Sequence, residues 1–330
     1  MMQPFSYFRP TSLAEAVNSA ARVQNARFIG GGTTLFDLMK LDIEVPTTLI
    51  DVTAIPGLTG IEAETHQLII GALARMSDVA AHPIVRDQYP ALSESLWKAA
   101  SQQLRNMATV GGNLLQRTRC PYFRGGEPYR CNKRAPGSGC SAKDGIDRGL
   151  ALFGGSDACI ANYPGDWAIA LLAFDAEVEV VGLGGVRRIR VEDLHREPGT
   201  TPHIETVLRP GDFISRILVP TTKSARASTY HKIRDRESYA FALTSAAVGV
   251  EMDGKRFGDI RIALGGVGAK PIRARAAEAL LKGQPYSREI ALQAGEAAFS
   301  GVRTSPHNAF RVPLGIQTVA DAIDIAVKRA

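Results

Sequence analysis

All four cysteines of this 330-residue chain lie within one 40-residue window, at positions Cys120, Cys131, Cys140 and Cys159. A chain of this length buries enough apolar surface to fold without disulfide staples, so the clustering indicates a ligand site. Zinc ribbons present tight cysteine pairs, and this spacing contains none. The Cys-Pro step and the Gly- and Pro-rich connections favour four thiolates around a four-iron cluster. On spacing alone, zinc, disulfides and unrelated thiols remain as alternatives.

Basic residues surround these thiols. Between Arg117 and Arg134 the sequence has six basic residues and one acidic residue, Glu127. Such cations are expected to stabilise an anionic iron–sulfur cluster or to dock an acidic redox partner, and the alternative is a solvated basic loop. The net charge of +6 does not by itself predict a nucleic-acid partner, because no helix-turn-helix, zinc-finger or stacking aromatic motif is present.

The overall composition is that of an ordinary globular protein. Hydrophobic residues make up 45% and charged residues 22% of the chain, and the length suggests two domains. The N-terminal segment lacks the basic start and continuous apolar core of a signal peptide. The longest apolar run, around residues 167–174, is too short to span a bilayer. We therefore expect no membrane insertion and no export signal on this chain.

Three consecutive glycines, Gly30 to Gly32, separate a predicted strand at 26–29 from a helix that Thr33 or Thr34 would cap. Without Cβ atoms, the backbone amides of such a turn can approach a phosphate closely. The turn is not the dinucleotide fingerprint, because Leu35 occupies the last glycine position, and no P-loop lysine follows. A plain tight turn is the alternative.

A second glycine turn, Thr109-Val110-Gly111-Gly112-Asn113, directly precedes the cysteine window. Its small residues allow close backbone approach, and its hydroxyl and amide groups suit a polar ligand; here too a plain turn is the alternative. Asp166 lies between a Pro-Gly turn and an apolar helical run. This position fits either a helix cap or a carboxylate that binds ligand hydroxyls.

The remaining chain predicts mostly antiparallel sheet. Two strands flank a glycine hairpin at 184–185, another strand follows near 213–219, and a polar segment then leads to a final part with a sheet, helices and a C-terminal helix over 318–330. The fold class predicted from these elements is α+β. No Ser–His–Asp order or paired-carboxylate motif stands out, so no catalytic residue is predicted.

Five segments occur in the same order as in one known family. They are FIGGGTTLFDLMK (28–40), ATVGGNLLQ (108–116), the segment around Asp166, LRPGDFISRILVP (208–220) and YHKIRDRESYAFALTSAA (230–247). On these segments the chain resembles, over nearly its whole length, the flavin-binding medium subunit of molybdenum hydroxylases, the xanthine dehydrogenase family. The resemblance implies a two-part FAD-binding domain of the vanillyl-alcohol-oxidase type at 1–222, with subdomains 1–56 and 57–222. It also implies a C-terminal domain at 226–330, with a three-stranded antiparallel sheet and helices.

The resemblance further implies which residues contact FAD. They are Ile29, Gly30, Gly31, Gly32, Thr33, Thr34, Leu35, Thr109, Gly112, Asn113, Asp166, Ile214 and Lys232. The first glycine turn would hold the pyrophosphate and the second would form the opposite wall. Asp166 would bind cofactor hydroxyls, Ile214 would lie beside the adenine or flavin, and Lys232 would lie near the isoalloxazine ring.

Most family members have only a short connection where residues 117–160 fall. A four-cysteine insertion resembles the branch that binds an extra four-iron cluster, which includes 4-hydroxybenzoyl-CoA reductase and the periplasmic aldehyde oxidoreductases. The resemblance implies Cys120, Cys131, Cys140 and Cys159 as the ligands of a [4Fe-4S] cluster. Ser238 and Tyr239 stand where the family often has two acids near the flavin edge, which argues against NAD as acceptor.

The implied function is electron transfer in an aldehyde-oxidising heterotrimer. A molybdenum-cofactor subunit would oxidise the aldehyde, and an iron–sulfur subunit with 2Fe-2S clusters would pass electrons to FAD on this chain. A ferredoxin-like protein or another acceptor would then receive them. The periplasm is the expected location if a signal-bearing partner exports the complex, with the cytoplasm as the alternative. Two rival hypotheses are a stand-alone flavoprotein oxidase and a non-enzymatic module with four zinc-binding cysteines.

Overall fold

The computed structural model describes residues 2–330, and within them the strands form three separate sheets. The strands are β1 (Ser6–Phe8), β2 (Ala26–Ile29), β3 (Thr48–Asp51), β4 (Ile61–Ala63), β5 (Gln67–Gly71), β6 (Glu177–Gly182), β7 (Gly185–Arg190), β8 (Phe213–Pro220), β9 (Ser228–Ile233), β10 (Thr244–Asp253), β11 (Arg256–Gly265) and β12 (Ile272–Arg273). The helices are α1 (Leu13–Arg22), α2 (Leu35–Lys40), α3 (Met76–Ala81), α4 (Pro83–Gln88), α5 (Pro90–Trp97), α6 (Gln102–Arg105), α7 (Val110–Leu114), α8 (Pro121–Arg124), α9 (Trp167–Ala173), α10 (Val191–Leu194), α11 (Arg275–Leu281), α12 (Arg288–Ala298) and α13 (Arg311–Val327).

The first sheet is small and parallel, with strand order β1-β3-β2. Helix α1 begins as the sequence indicates, because the Ser12 hydroxyl accepts a hydrogen bond from the Glu15 amide at 3.2 Å. The Glu15 carboxylate accepts from the Thr11 amide at 2.9 Å. Strand β2 ends at Ile29, so the glycine turn leaves this sheet at the carboxyl end of its strands.

The second sheet is antiparallel, with strand order β4-β5-β8-β6-β7. The predicted hairpin is present, since β6 and β7 pair up to Gly182 and Gly185. Every residue of α9 is buried, because this apolar helix packs against α5 on one side and β10 and β11 on another. This packing places Asp166, which immediately precedes α9, deep inside the molecule.

The third sheet is antiparallel, with strand order β12-β11-β10-β9, and helices α11 to α13 pack with it. The α+β class is confirmed. The sheet has one strand more than the three predicted, because the two residues of β12 pair with β11. Helix α13 begins at Arg311 rather than at Thr318. Its Pro313 lies in the first turn, where a missing N–H breaks no intrahelical hydrogen bond.

Residues 117–160, called the cysteine insertion below, contain one short helix, α8, and otherwise turns and loops. Their packing depends on a small core that combines insertion residues with the α2 segment. Its buried members are Leu38, Cys120, Phe123, Cys131, Ala142, Leu150, Cys159 and Ala161. Among residues 2–330, no helix is both long enough and apolar enough to cross a membrane.

Candidate functional site

One cleft has the two glycine turns as its walls. It encloses about 340 Å³, and it is lined by eleven of the thirteen residues predicted to contact FAD. These are Ile29, Gly30, Gly31, Gly32, Thr33, Thr34, Leu35, Thr109, Gly112, Asn113 and Ile214. Segments far apart in the sequence, from the first and second sheets, therefore meet at one ligand-sized space.

The second turn is fixed in place by backbone hydrogen bonds to the chain that follows β5. The Val110 amide donates to the Ala74 carbonyl and the Gly111 amide to the Ala72 carbonyl, both at 2.9 Å. Thr109 caps α7, with its hydroxyl accepting from the Gly112 amide at 3.3 Å. The wall is thus a rigid part of the second sheet's layer.

The two turns touch through their backbones. A Cβ atom added to Gly31 would lie 2.6 Å from the carbonyl carbon of Met107 and 3.0 Å from Cα of Ala108, with the Met107 oxygen closer still. Only glycine permits this approach. Gly32 has a second reason to be glycine, since its φ is +70°. The first turn therefore needs glycine for its contact with the opposite wall as well as for its own conformation.

The base of the cleft joins the two sheets through aromatic and apolar side chains. Phe28 of β2 and Phe213 of β8 pack edge to face, with ring centroids 5.3 Å apart. Ile214 is 4% exposed, and it belongs to the large core and to the cleft lining. Next to them, Asp212 also lines the cleft and is held by Arg187 and by the Arg209 amide.

Asp166 and Lys232 do not line this cleft; they pair with each other. The Lys232 ammonium lies 2.7 Å from the Asp166 carboxylate, and the two side chains are 1% and 5% exposed respectively. Tyr230 donates its hydroxyl proton to Asp166 at 2.6 Å, and burial together with this carboxylate raises the pKa of Tyr230. Asp166 precedes α9 but makes no side-chain cap there. Its carboxylate serves a buried ion pair, which the sequence did not reveal.

The four cysteines lie together in the core of the cysteine insertion. Cys120, Cys131 and Cys159 are buried and Cys140 is partly buried; all four are free thiols, which disagrees with the disulfide alternative. Cys131 and Cys140 face each other across a short antiparallel bridge. The Ala161 amide donates to the Cys159 sulfur at 3.4 Å. Distant parts of the insertion thus bring soft ligands to one place.

Burial disfavours the charged form of two of these thiols, Cys120 and Cys159. It raises the pKa of Cys120 to about 11, with Cys131 and Cys159 adding to the effect, and it raises the pKa of Cys159 as well. The Lys133 charge acts in the opposite direction on Cys159. Cys120 and Cys159 therefore hold their protons at neutral pH unless a bound metal displaces them. Among residues 2–330, no three His, Cys, Asp or Glu side chains are arranged to hold a single metal ion.

The basic residues of the insertion mostly make internal contacts. Arg134 donates to the carbonyl oxygens of Tyr122 and Phe123 at 2.9 and 2.8 Å. Lys133 pairs with Glu205 at 2.6 Å. Within the basic run of residues 117–134, Arg130 is the most exposed: 67% of its side chain is exposed, and it lies 3.8 Å from Asp144. Most of the basic residues in this run are therefore paired within the fold, and they do not form a free docking surface.

Sequence reasoning missed the four charged residues that line the cleft, which are Arg27, Glu44, Arg117 and Asp212. Arg117 donates to Glu44 and to Glu205, both at 2.6 Å, and its guanidinium lies 4.7 Å from the centre of the Phe123 ring. It therefore touches both the cleft and the cysteine core. Arg117 belongs to the basic run noted in the sequence, but nothing in that run singles it out.

Two family descriptions match the chain. Residues 3–222 match the FAD binding domain in molybdopterin dehydrogenase. This chain belongs to the FAD-binding medium subunits of the molybdenum hydroxylases. Residues 228–319 match the CO dehydrogenase flavoprotein C-terminal domain of the same family. The chain is accordingly a subunit of an oxidoreductase, and FAD is its cofactor.

Individual relatives agree with this membership. The chain is 46% identical to the aldehyde oxidoreductase FAD-binding subunit PaoB of Escherichia coli (strain K12), over 98% of both chains. It is 24% identical to the glyceraldehyde dehydrogenase medium chain of Sulfolobus acidocaldarius, over 87% of this chain and 84% of that one. Among solved structures, carbon monoxide dehydrogenase from Hydrogenophaga pseudoflava matches with a TM-score of 0.79 and 26% identity, covering 100% of this chain and 99% of that chain.

The cleft fits FAD on two observations. The lining includes the backbone of Gly30 to Gly32 and the threonines Thr33, Thr34 and Thr109, groups that suit a pyrophosphate and its neighbouring hydroxyls. Asn113 Oδ1, in the wall of the cleft, is buried and has no hydrogen-bond partner among residues 2–330. A buried acceptor without a donor is costly, and ribose or ribityl hydroxyls supply such donors.

Proposed function

We propose that this chain is the FAD- and [4Fe-4S]-containing electron-transfer subunit of a molybdenum-dependent aldehyde oxidoreductase. Near-full-length identity of 46% to an aldehyde oxidoreductase FAD-binding subunit supports the substrate class. The observation that carries the proposal is the adjacency of two sites, since Arg117 contacts both the glycine-walled cleft and the core that holds the four thiols.

FAD supplies the exchange of electrons between a two-electron donor and one-electron carriers. The chain's own task is to bind and orient it. The turn at Gly30 to Gly32 would receive the pyrophosphate, while Thr109 and Asn113 would bind hydroxyls on the opposite wall. The Asp166–Lys232 pair is buried outside the cleft lining, so a role beside the flavin would require that pair to open or the cofactor to reach it.

Cys120, Cys131, Cys140 and Cys159 would hold the cluster. Each thiolate of a four-iron cluster binds a different iron atom, so the thiols surround a volume instead of converging on one ion as in a zinc site. The shared core of the four thiols and their wide spacing in the sequence support the proposed cluster. Raised thiol pKa values predict that loading releases protons.

The proposed partners are an iron–sulfur subunit and a molybdenum-cofactor subunit, with electrons leaving this chain to a ferredoxin-like or other acceptor. Tyr239 supports an acceptor other than NAD. It stands where a family acid is expected, is 53% exposed and adopts a positive φ of 53°. Its aromatic side chain therefore replaces a carboxylate on the surface.

The test is cofactor analysis of the complex purified from its native operon. We expect one FAD per copy of this chain, and the variant Cys131→Ser should lose four iron atoms per complex relative to the wild type. Lys143→Gln, which removes a charge exposed in the same insertion, should keep them. Equimolar zinc at the four cysteines, or no iron difference between Cys131→Ser and the wild type, would refute the cluster. A purified chain that oxidises aldehydes without partners would favour the stand-alone oxidase.

A further inference from the structure

The cysteine insertion makes charged contacts with α2, the helix that follows the first glycine turn, and with the residues just beyond it. Arg119 and Arg124, both from the insertion, donate to the same carboxylate oxygen of Asp37 in α2 at 2.9 and 2.7 Å. Arg117 donates to Glu44, just beyond α2, at 2.6 Å. Three cations on one segment thus hold two carboxylates on the other. Charge-assisted hydrogen bonds of this length are among the stronger polar contacts in proteins.

The cysteine insertion also contacts α2 through apolar side chains. Leu38 in α2 is 2% exposed and lines the FAD cleft, and it packs in the same core as Cys120, Cys131 and Cys159. One side chain therefore contributes to both cofactor sites. If the cysteine core loosens, Leu38 loses packing partners and α2 loses part of what fixes its position.

These contacts differ in exposure from the other charges of the insertion. Arg117, Glu44 and Arg124 have side chains 18%, 12% and 21% exposed, and those of Arg119 and Asp37 are 35% and 39% exposed. The Arg130–Asp144 pair is more exposed, at 67% and 82%. Partly buried pairs are screened less than exposed ones and lose more when one partner is removed. The insertion thus has a set of partly buried pairs that hold α2. The more exposed Arg130 provides a control for substitutions of the arginines in these pairs.

We propose that the cysteine insertion braces α2, through Asp37 and Glu44, so that FAD is retained tightly only when the cysteine site is loaded and ordered. This inference rests on the proposed cluster, and it adds a positioning role for Arg117, Arg119 and Arg124. None of the three has to touch FAD to act in this way. They fix the segment that carries one wall of the cleft.

The first test measures how fast the assembled complex releases FAD, followed as the rise of flavin fluorescence after dilution. The double variant Arg119→Gln/Arg124→Gln should release FAD about tenfold faster than the wild type. Arg130→Gln should match the wild type. Equal rates in the double variant and Arg130→Gln would overturn the brace. If the double variant does not assemble, the near-isosteric Asp37→Asn removes the negative charge that both arginines contact and should accelerate release in the same direction.

The second test separates the brace from the cluster. Removing iron with a chelator under mild oxidation should speed FAD release from the wild type more than from Asp37→Asn, because in that variant the charged contacts of Arg119 and Arg124 with α2 are already weakened. An equal effect of iron removal on both proteins overturns the brace. Absence of iron from the wild type refutes the proposed cluster instead, while the Arg119→Gln/Arg124→Gln comparison still decides whether the insertion positions α2.

Discussion

The substitution Gly31→Ala is expected to create a steric clash between the two glycine turns. The added Cβ would lie 2.6 Å from the carbonyl carbon of Met107 and 3.0 Å from Cα of Ala108. Ordinary contacts between such carbon atoms lie near ~3.5–4 Å, so one turn must move by about 1 Å relative to the other. The obstructing atoms are backbone, and the Ala108 carbonyl accepts from the Met76 amide at 2.9 Å, so no side chain can rotate away.

The expected cost follows from overpacking in a rigid place. Such insertions cost about 1–3 kcal/mol when side chains can adjust, and the backbone clash argues for the upper end, about 3 kcal/mol. For a domain of this size, that corresponds to a fall in Tm of roughly 6–12 °C. Since the cleft walls are the displaced parts, FAD occupancy should fall as well, by about a hundredfold in affinity if a comparable cost appears in binding.

The assay is thermal unfolding together with flavin content of the purified complex. Gly30→Ala is the graded control, because the nearest atoms to its Cβ belong to side chains, Thr109 at 3.2 Å and Leu73 at 3.6 Å. Gly184→Ala is the neutral control, since nothing lies within 4 Å of its Cβ. If Gly31→Ala retains FAD and melts like Gly184→Ala, then the close approach of the two turns is not what shapes the cleft.

Three further predictions concern the buried polar groups. His195, whose pKa burial lowers to about 4, is neutral in the fold but protonates near pH 6.5 when unfolded. The contribution of neutral His195 to the free energy of unfolding is therefore present above pH 6.5 and is lost as the pH falls toward 4. In urea unfolding this loss should be about 3 kcal/mol, and the variant His195→Gln should not show it. Lys232→Met should cost about 3 kcal/mol by leaving Asp166 charged and buried, and Asp166→Asn in the same chain should recover part of it; additive losses would contradict the pairing. Arg311→Gln should lower the unfolding free energy by about 3 kcal/mol, because the carbonyls of Leu150 and Leu243 lose the guanidinium that now donates to them at 2.5 and 2.9 Å; an unchanged urea midpoint would show that they find other donors.

The family resemblance predicts that the two glycine turns belong to one site, and in the structure both turns line one cleft. Each turn carries its own local signal, and the resemblance to a flavoprotein family assigns both turns to the same cofactor. The α+β class and the hairpin at 184–185 follow from period-two patterns and turn residues in the same way. What such patterns cannot supply is contact across long sequence separations, such as the Gly31 approach to Met107.

Asp166 illustrates the limit in a single residue. Its position before an apolar helix suits a cap, and the family resemblance suggests a cofactor contact. The structure gives it a buried partner 66 residues away, Lys232, and a hydroxyl donor, Tyr230. Pairing partners at that separation depend on how β9 packs against the core, which no local pattern encodes. For the same reason, the sequence did not indicate the ion pairs of Asp37 and Glu44, whose partners lie in the insertion.

The base of the insertion explains how a flavin cleft accommodates so long a segment. The Thr118 hydroxyl donates to the Asn162 carbonyl at 2.8 Å, and the Tyr163 hydroxyl donates to the Leu114 carbonyl at 3.1 Å. The two ends are therefore neighbours, and the entropy of closing a loop grows only slowly with its length, so the wall at Leu114 need not be distorted. The insertion is thus attached in two ways, through the uncharged hydrogen bonds of this base and through charged contacts with Asp37 and Glu44. Substitutions of the charged side chains can separate the two cofactor sites while the hydrogen bonds of the base stay intact.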